Sequence, residues 1–129
     1  MSIEEGSGVS YEQNFELVRR FNHVFWADDD LTVLDEILAP DFVAHNGDEE
    51  VHGPDGWRQF VLSIRADGGV IETGIDELIG EGNLVAERWW MRANGEGGGT
   101  AFRGHGITMH RVVKGRLQEN WAVYEPDES

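Results

Sequence analysis

The sequence predicts an α+β fold, with its helices gathered in the first half of the chain and a long antiparallel meander filling the second. Up to about residue 66, apolar residues recur three and four apart, and beyond it they alternate. Glycine-bearing turns punctuate the second half at Asp67-Gly68-Gly69, Gly82, Gly95 to Gly99 and Gly115. None of the 129 residues is cysteine, which leaves neither disulfides nor a zinc–thiolate site to hold the chain. A chain of this size buries roughly two-thirds of its unfolded surface, enough for an unstapled core.

The first helix is expected from Tyr11 to about Trp26, where Phe15, Val18, Phe21 and Phe25 form one apolar stripe. Ser10 suits its N-cap, and Gln13 completes a capping box. Asp28-Asp29-Asp30 breaks that helix and caps a second over Leu31–Leu38, which Pro40 ends. A short strand, Phe42–His45, precedes a third helix that opens at Gly53-Pro54-Asp55 and runs to about Ala66. Trp57, Phe60, Val61 and Ile64 face inward from it. Strands follow at Val70–Ile79, Leu84–Asn94, Thr100–Val113 and Arg116–Tyr124. Helices ahead of a meander pack together on one sheet face. Residues 1–10 and 125–129 read as tails, which leaves 11–124 as one domain without internal repeats.

Charge narrows the partners. Asp and Glu number 25 against 10 Lys and Arg, a formal charge of −15, and Lys114 is the only lysine. Such a field repels phosphate backbones and anionic lipid, so neither nucleic acid nor a membrane is an expected partner. Two origins of the acidity stay open: a surface adapted to strong salt, or an Arg-rich composition from a GC-rich genome. No apolar run approaches the roughly 20 residues that span a bilayer, and Met1 to Ser10 lack the features of a signal peptide. A cytoplasmic protein is expected.

Five motifs occur in order. They are Leu17-Val18-Arg19-Arg20-Phe21 with Trp26 and Asp30-Leu31; Leu34-Asp35-Glu36-Ile37-Leu38-Ala39-Pro40-Asp41-Phe42-Val43-Ala44-His45; and His52-Gly53-Pro54-Asp55-Gly56. Val85-Ala86-Glu87-Arg88-Trp89 comes next, then His110-Arg111-Val112 through Gly115-Arg116-Leu117 to Glu119-Asn120-Trp121. Over about residues 14–124 the chain resembles the SnoaL-like (polyketide cyclase-like) family of the nuclear-transport-factor-2-like superfamily. The resemblance implies a cone in which three helices pack on a curved antiparallel sheet and enclose a pocket, in a protein that is commonly a dimer. In the family's cyclases an Asp on the last strand and a nearby His serve an intramolecular aldol closure. Aligned on Arg111 and Gly115, those positions are Ala122 and Thr108, and neither side chain replaces the missing group. The cyclase mechanism is therefore not supported, although the fold hosts many other reactions.

The closing hairpin admits two registers. A two-residue turn at Lys114-Gly115 pairs Val113 with Arg116 and puts Thr108 on one face with Trp121. A three-residue loop pairs Val112 with Arg116, His110 with Gln118, Thr108 with Asn120 and Gly106 with Ala122. Only the second puts positions 108 and 122 on one face, as the family's pocket requires, and it is the one expected. The concave face then receives Phe102, Thr108, His110, Asn120, Ala122 and Tyr124. Ile107, Met109, Trp121 and Val123 fall on the convex face with His105, an apolar surface suited to a second copy in a homodimer or, in part, to cover by the protein's own helices.

His45 is the candidate general base, because the related ketosteroid isomerases carry their carboxylate base in this part of the fold. Asn120 is its candidate oxyanion donor, helped by Tyr124, although each has a bland alternative: a loop hydrogen bond for His45 and a cross-strand bond to Thr108 for Asn120. Trp26, Trp57, Phe102, Thr108, His110, Ala122 and Tyr124 complete the expected ligand pocket, with His110 only half buried. Asn46 and His52 flank Gly47 to Glu50 and read as surface residues, as Asp41 reads as a turn residue. Histidine spacing offers no metal site, and no phosphate loop, dinucleotide fingerprint or serine elbow calls for a cofactor or nucleophile. Two functions remain: acid/base chemistry on a small apolar carbonyl compound, or a non-catalytic ligand-binding or dimerisation module that kept only the fold.

Overall fold

The computed structural model describes residues 11–25 and 31–127. Helix α1 (Tyr11–His23) buries Asn14, Val18, Phe21 and Asn22, a stripe three and four residues apart. Ser10, Trp26 and residues 28–30, to which a cap, a pocket wall and a helix break were assigned, lie outside the described residues. Helix α2 (Val33–Ile37) is shorter than expected, because β1 (Leu38–Asn46) begins at Leu38. Pro40 sits inside that strand rather than behind a helix. It falls in the irregular stretch between the Leu38 and Val43 pairings, where its missing N–H breaks no regular ladder.

A strand was missed. β2 (Glu49–His52) folds back on β1, pairing His45 with Glu50 and Asn46 with Glu49, across a turn in which Gly47 takes a φ of 63°. Asn46-Gly47 is a hairpin signal in its own right. Helix α3 (Gly53–Gly68) starts as expected with Pro54 in its first turn and buries Trp57 and Val61.

The meander consists of β3 (Ile71–Glu81), β4 (Leu84–Ala93), β5 (Phe102–Val113) and β6 (Arg116–Pro126). The six strands lie in the order β2-β1-β6-β5-β4-β3, antiparallel except where β1 runs parallel to β6. The sheet is thus mixed rather than wholly antiparallel. Helix α1 packs on β3, β4 and β6, and α3 on β1 and β2, giving the expected three helices over a curved sheet.

The closing hairpin corrects the expected register. Its turn is the two-residue one, with Lys114 at φ 52° and Gly115 at φ 79°, so Val113 pairs with Arg116 and Val112 with Leu117. An irregularity at Gln118 then adds one residue to β6, and beyond it Arg111 pairs with Glu119, His110 with Asn120, Thr108 with Ala122 and Gly106 with Tyr124. The expected partner of Val112 is off by one residue, and those of His110, Thr108 and Gly106 by two. The faces survive, since the extra residue restores the parity that the tight turn would have reversed: Thr108, His110 and Asn120 are buried, and Ile107, Met109, Trp121 and Val123 are exposed.

Candidate functional site

Alternation along β4 sends Val85, Glu87, Met91 and Ala93 to the same interior as Thr108 and His110 of β5. Glu87 is cross-strand partner to Thr108, and Val85 to His110, which makes Glu87 and His110 diagonal neighbours on one face. The Glu87 side chain is 3% exposed and that of His110 0%, with His110 Nε2 2.7 Å from Glu87 Oε1. His110 is therefore fully rather than half buried.

The other carboxylate oxygen is also engaged. Asn22 of α1 donates through Nδ2 to Glu87 Oε2 (3.3 Å) and to Thr73 Oγ1 (3.0 Å), and Thr73 in turn donates to the carbonyl of Trp90 (2.7 Å). A carboxylate that only accepts, in a site closed to water, is tolerated because donors reach both oxygens.

Three buried polar atoms have no hydrogen-bond partner among the described residues: His110 Nδ1, Asn120 Oδ1 and Trp57 Nε1. His110 and Asn120 are paired directly across β5 and β6. Phe21 links Trp57 to His110, since its ring stacks on Trp57 at 4.8 Å and meets His110 edge-on at 5.5 Å. Unpaired buried groups are uncommon, so each of the three calls for an explanation.

His45 is not part of this cluster. Its neighbour Ala44 pairs with the buried Asn120, whereas His45 pairs with Trp121 and turns to the outer face. There its Nε2 lies 2.7 Å from Glu119 Oε2 and its ring stacks on Trp121 at 5.5 Å and 9°. The expected base and the expected donor thus sit on opposite faces of the sheet. The expected bond from Asn120 to Thr108 is not formed either, since Thr108 Oγ1 accepts from the indole N–H of Trp89 at 2.8 Å.

The rest of the expected pocket is dispersed. Trp57 is core, packed against Phe21, Phe25, Phe42 and Phe60. Ala122 is half buried, and Phe102, also half buried, approaches Gly68. Tyr124 is exposed and stacks on Trp89 at 5.8 Å; burial first, and then the charge of Asp127, raise its phenol above the ordinary 10.0. His105 lies outside as expected, 2.7 Å from Asp127. His52 and Asp41 are exposed, on Glu50 and Gln118. Two clefts of about 400 and 580 Å³ flank α1, lined by Arg19 and Leu31 and by Asn14 and Lys114 respectively, and neither borders His110. Among the described residues no group of three His, Asp or Glu is arranged to hold a metal, and no helix is long and apolar enough to cross a membrane.

Glu87 escaped the sequence. In Val85-Ala86-Glu87-Arg88-Trp89 an acid beside an arginine reads as surface. The available signal was positional: Val85, Met91 and Ala93 share its parity, so an inward β4 face carries one carboxylate.

Residues 18–120 match the family model of the SnoaL-like domain. A candidate SnoaL-like polyketide cyclase from Jannaschia sp. CCS1 superposes with a TM-score of 0.76 at 21% identity, over 95% of this chain and 92% of that one. IdmH, a candidate polyketide cyclase from Streptomyces antibioticus, gives 0.75 at 25% identity, over 88% and 92%. A de novo designed protein with a curved β-sheet gives 0.71 at 15% identity, over 92% and 89%, a likeness of fold alone. No curated protein matches the chain in sequence.

Proposed function

This chain belongs to the SnoaL-like family of nuclear-transport-factor-2-like folds, and from that premise we propose that it binds a small, mainly apolar carbonyl compound within the cone and moves a proton on it through His110. One observation carries this: His110 Nδ1, Asn120 Oδ1 and Trp57 Nε1 are all buried without a hydrogen-bond partner among the described residues, with His110 and Trp57 against one phenylalanine and Asn120 across the strands from His110. With Nε2 donating to the Glu87 carboxylate, a neutral imidazole keeps its lone pair on Nδ1. That nitrogen takes a proton from the carbon next to a carbonyl, and the negative charge passes to the carbonyl oxygen. The Trp57 indole N–H is the donor for that oxygen, and Asn120 accepts from a ligand hydroxyl. Returning the proton to another carbon completes an isomerisation. This reading transfers the role of base from His45 to His110 and that of oxyanion donor from Asn120 to Trp57, and it gives Asn120 the part of an acceptor.

The aromatic packing favours a second reading. Phe21 meets His110 edge-on with Trp57 stacked on it, as they would in a binding or dimerisation module whose histidine–carboxylate pair only organises the core. In either case residues 11–124 act as one domain in the cytoplasm, homodimeric through the outer face of Ile107, Met109, Trp121 and Val123, without nucleic acid or membrane as a partner.

The two part on isotope exchange. Steroid ketones, polyketide fragments and small lactones are screened by thermal shift, and the ligands found are incubated in D₂O with the protein and with His110→Gln. Deuterium entering beside the carbonyl with the wild type alone is the expected result. Exchange that survives His110→Gln removes the role of His110, and binding without exchange in the wild type leaves the binding module.

A further inference from the structure

Given the proton-transfer role proposed for His110, we infer that Asn22 is the positioning residue of the site: it holds the Glu87 carboxylate so that the histidine presents Nδ1, and not Nε2, to the interior. Asn22 lies on the buried stripe of α1, one turn beyond Val18 and beside Phe21, and touches β3 and β4 at once.

The direction of each hydrogen bond in the cluster follows from chemistry. The Thr73 hydroxyl has one proton and spends it on the Trp90 carbonyl at 2.7 Å, so toward Asn22 it can only accept. The Asn22 atom 3.0 Å away must therefore be its NH₂ group, and the same nitrogen directs its second proton to Glu87 Oε2 at 3.3 Å. An amide turned the other way would set its oxygen against a carboxylate and an occupied hydroxyl. Two protons from one nitrogen thus tie Glu87 to β3. With Oε2 engaged by Asn22, Oε1 is the oxygen left for His110, at 2.7 Å.

What this controls is the tautomer. Glu87 accepts from Nε2 only while Oε1 stays aimed at it, and a carboxylate free to rotate would let the imidazole carry its proton on either nitrogen. Asn22 and Thr73 touch neither the imidazole nor the unpartnered atoms in the hydrogen bonds described, so they act on the chemistry only through Glu87. Removing a donor to a charged group shifts such an equilibrium about tenfold or more.

The experiment reads the ring directly, with the full chain and no ligand. Nitrogen-15 spectra of the His110 imidazole are recorded at neutral pH for the wild type, Asn22→Leu, Thr73→Val and Thr73→Ser. The wild type is expected to hold its proton on Nε2 with a lone pair on Nδ1, and Asn22→Leu to lower that preference about tenfold. Thr73→Val should follow it part of the way, and Thr73→Ser, which keeps the hydroxyl, should restore the wild-type spectrum. Should Asn22→Leu fail to fold, the valine and serine pair at position 73 decides alone. Lowered thermal stability with an unchanged His110 spectrum in Asn22→Leu, or in Thr73→Val where that variant decides, overturns the inference, because a merely structural amide gives that result. If the spectra respond as expected while deuterium exchange survives His110→Gln, the positioning stands and the proton-transfer role falls.

Discussion

Two imidazole–carboxylate contacts of equal length occupy the two faces of one sheet. His110–Glu87 inside and His45–Glu119 outside are each 2.7 Å, yet the first pair is 0% and 3% exposed and the second 25% and 34%. Outside, water screens both charges and solvates whichever group loses its partner, so such a pair is worth about 0–1 kcal/mol. Inside, neither group has water to fall back on. Removing one partner leaves the other's polar group buried without a hydrogen bond, at about 1–3 kcal/mol for each neutral group and more for a carboxylate. Distance alone does not say which pair matters to the fold, and burial does.

The largest expected effect tests this contrast directly. Glu87→Ala should lose about 2–6 kcal/mol in urea unfolding, because it leaves the His110 Nε2–H and one Asn22 proton buried without an acceptor, at about 1–3 kcal/mol each. A loss below about 1 kcal/mol would mean that the two pairs are alike.

Next comes the packing that closes the inner face. A Cβ at Gly106 would lie 2.6 Å from the Val123 carbonyl and closer still to the Trp89 ring, so Gly106→Ala should cost about 1–3 kcal/mol. It should also disturb the Trp89 bond to Thr108, which near-ultraviolet circular dichroism reports.

Smaller still is Glu119→Gln, expected to change stability by less than about 1 kcal/mol and by less again in 1 M salt, where screening acts within about 3 Å. In the same titration the wild type should gain stability with salt, because screening also relaxes the self-repulsion of a chain at −15. Falling stability would show that attractive surface pairs outweigh that repulsion.

The smallest effect concerns Tyr124. Its phenol is raised above 10.0, by burial first and by Asp127 second. A raised value stabilises the fold by an amount fully present below the unfolded value near 10 and lost as pH climbs through the folded one. With Tyr11→Phe leaving Tyr124 as the only tyrosine, ultraviolet titration should give a midpoint above 10, and Asp127→Asn should bring it partway down.

The helices, the meander and the inner and outer faces of β5 could be read from spacing and alternation, because each is a local periodicity. The β2 strand could have been, from Asn46-Gly47. The extra residue in β6 could not. Leu117 and Asn120 both turn inward although three residues apart, and only pairing with β5 reveals which residue between them is the odd one. Position in the family favours His45, and closeness to the hairpin turn makes His110 read as half buried: neither reading contains information about the other strand.

Residue order by itself determined the fold class, the family and the list of polar side chains that alternation sends inward. Only the tertiary structure decided that His110 meets Glu87 while His45 meets Glu119. Those partners lie 23 and 74 residues apart in the chain, and their meeting depends on strand registers that are properties of pairs. A shift of one residue in either register reverses a side chain's face, exchanging water for the protein interior and a weak contact for a strong one.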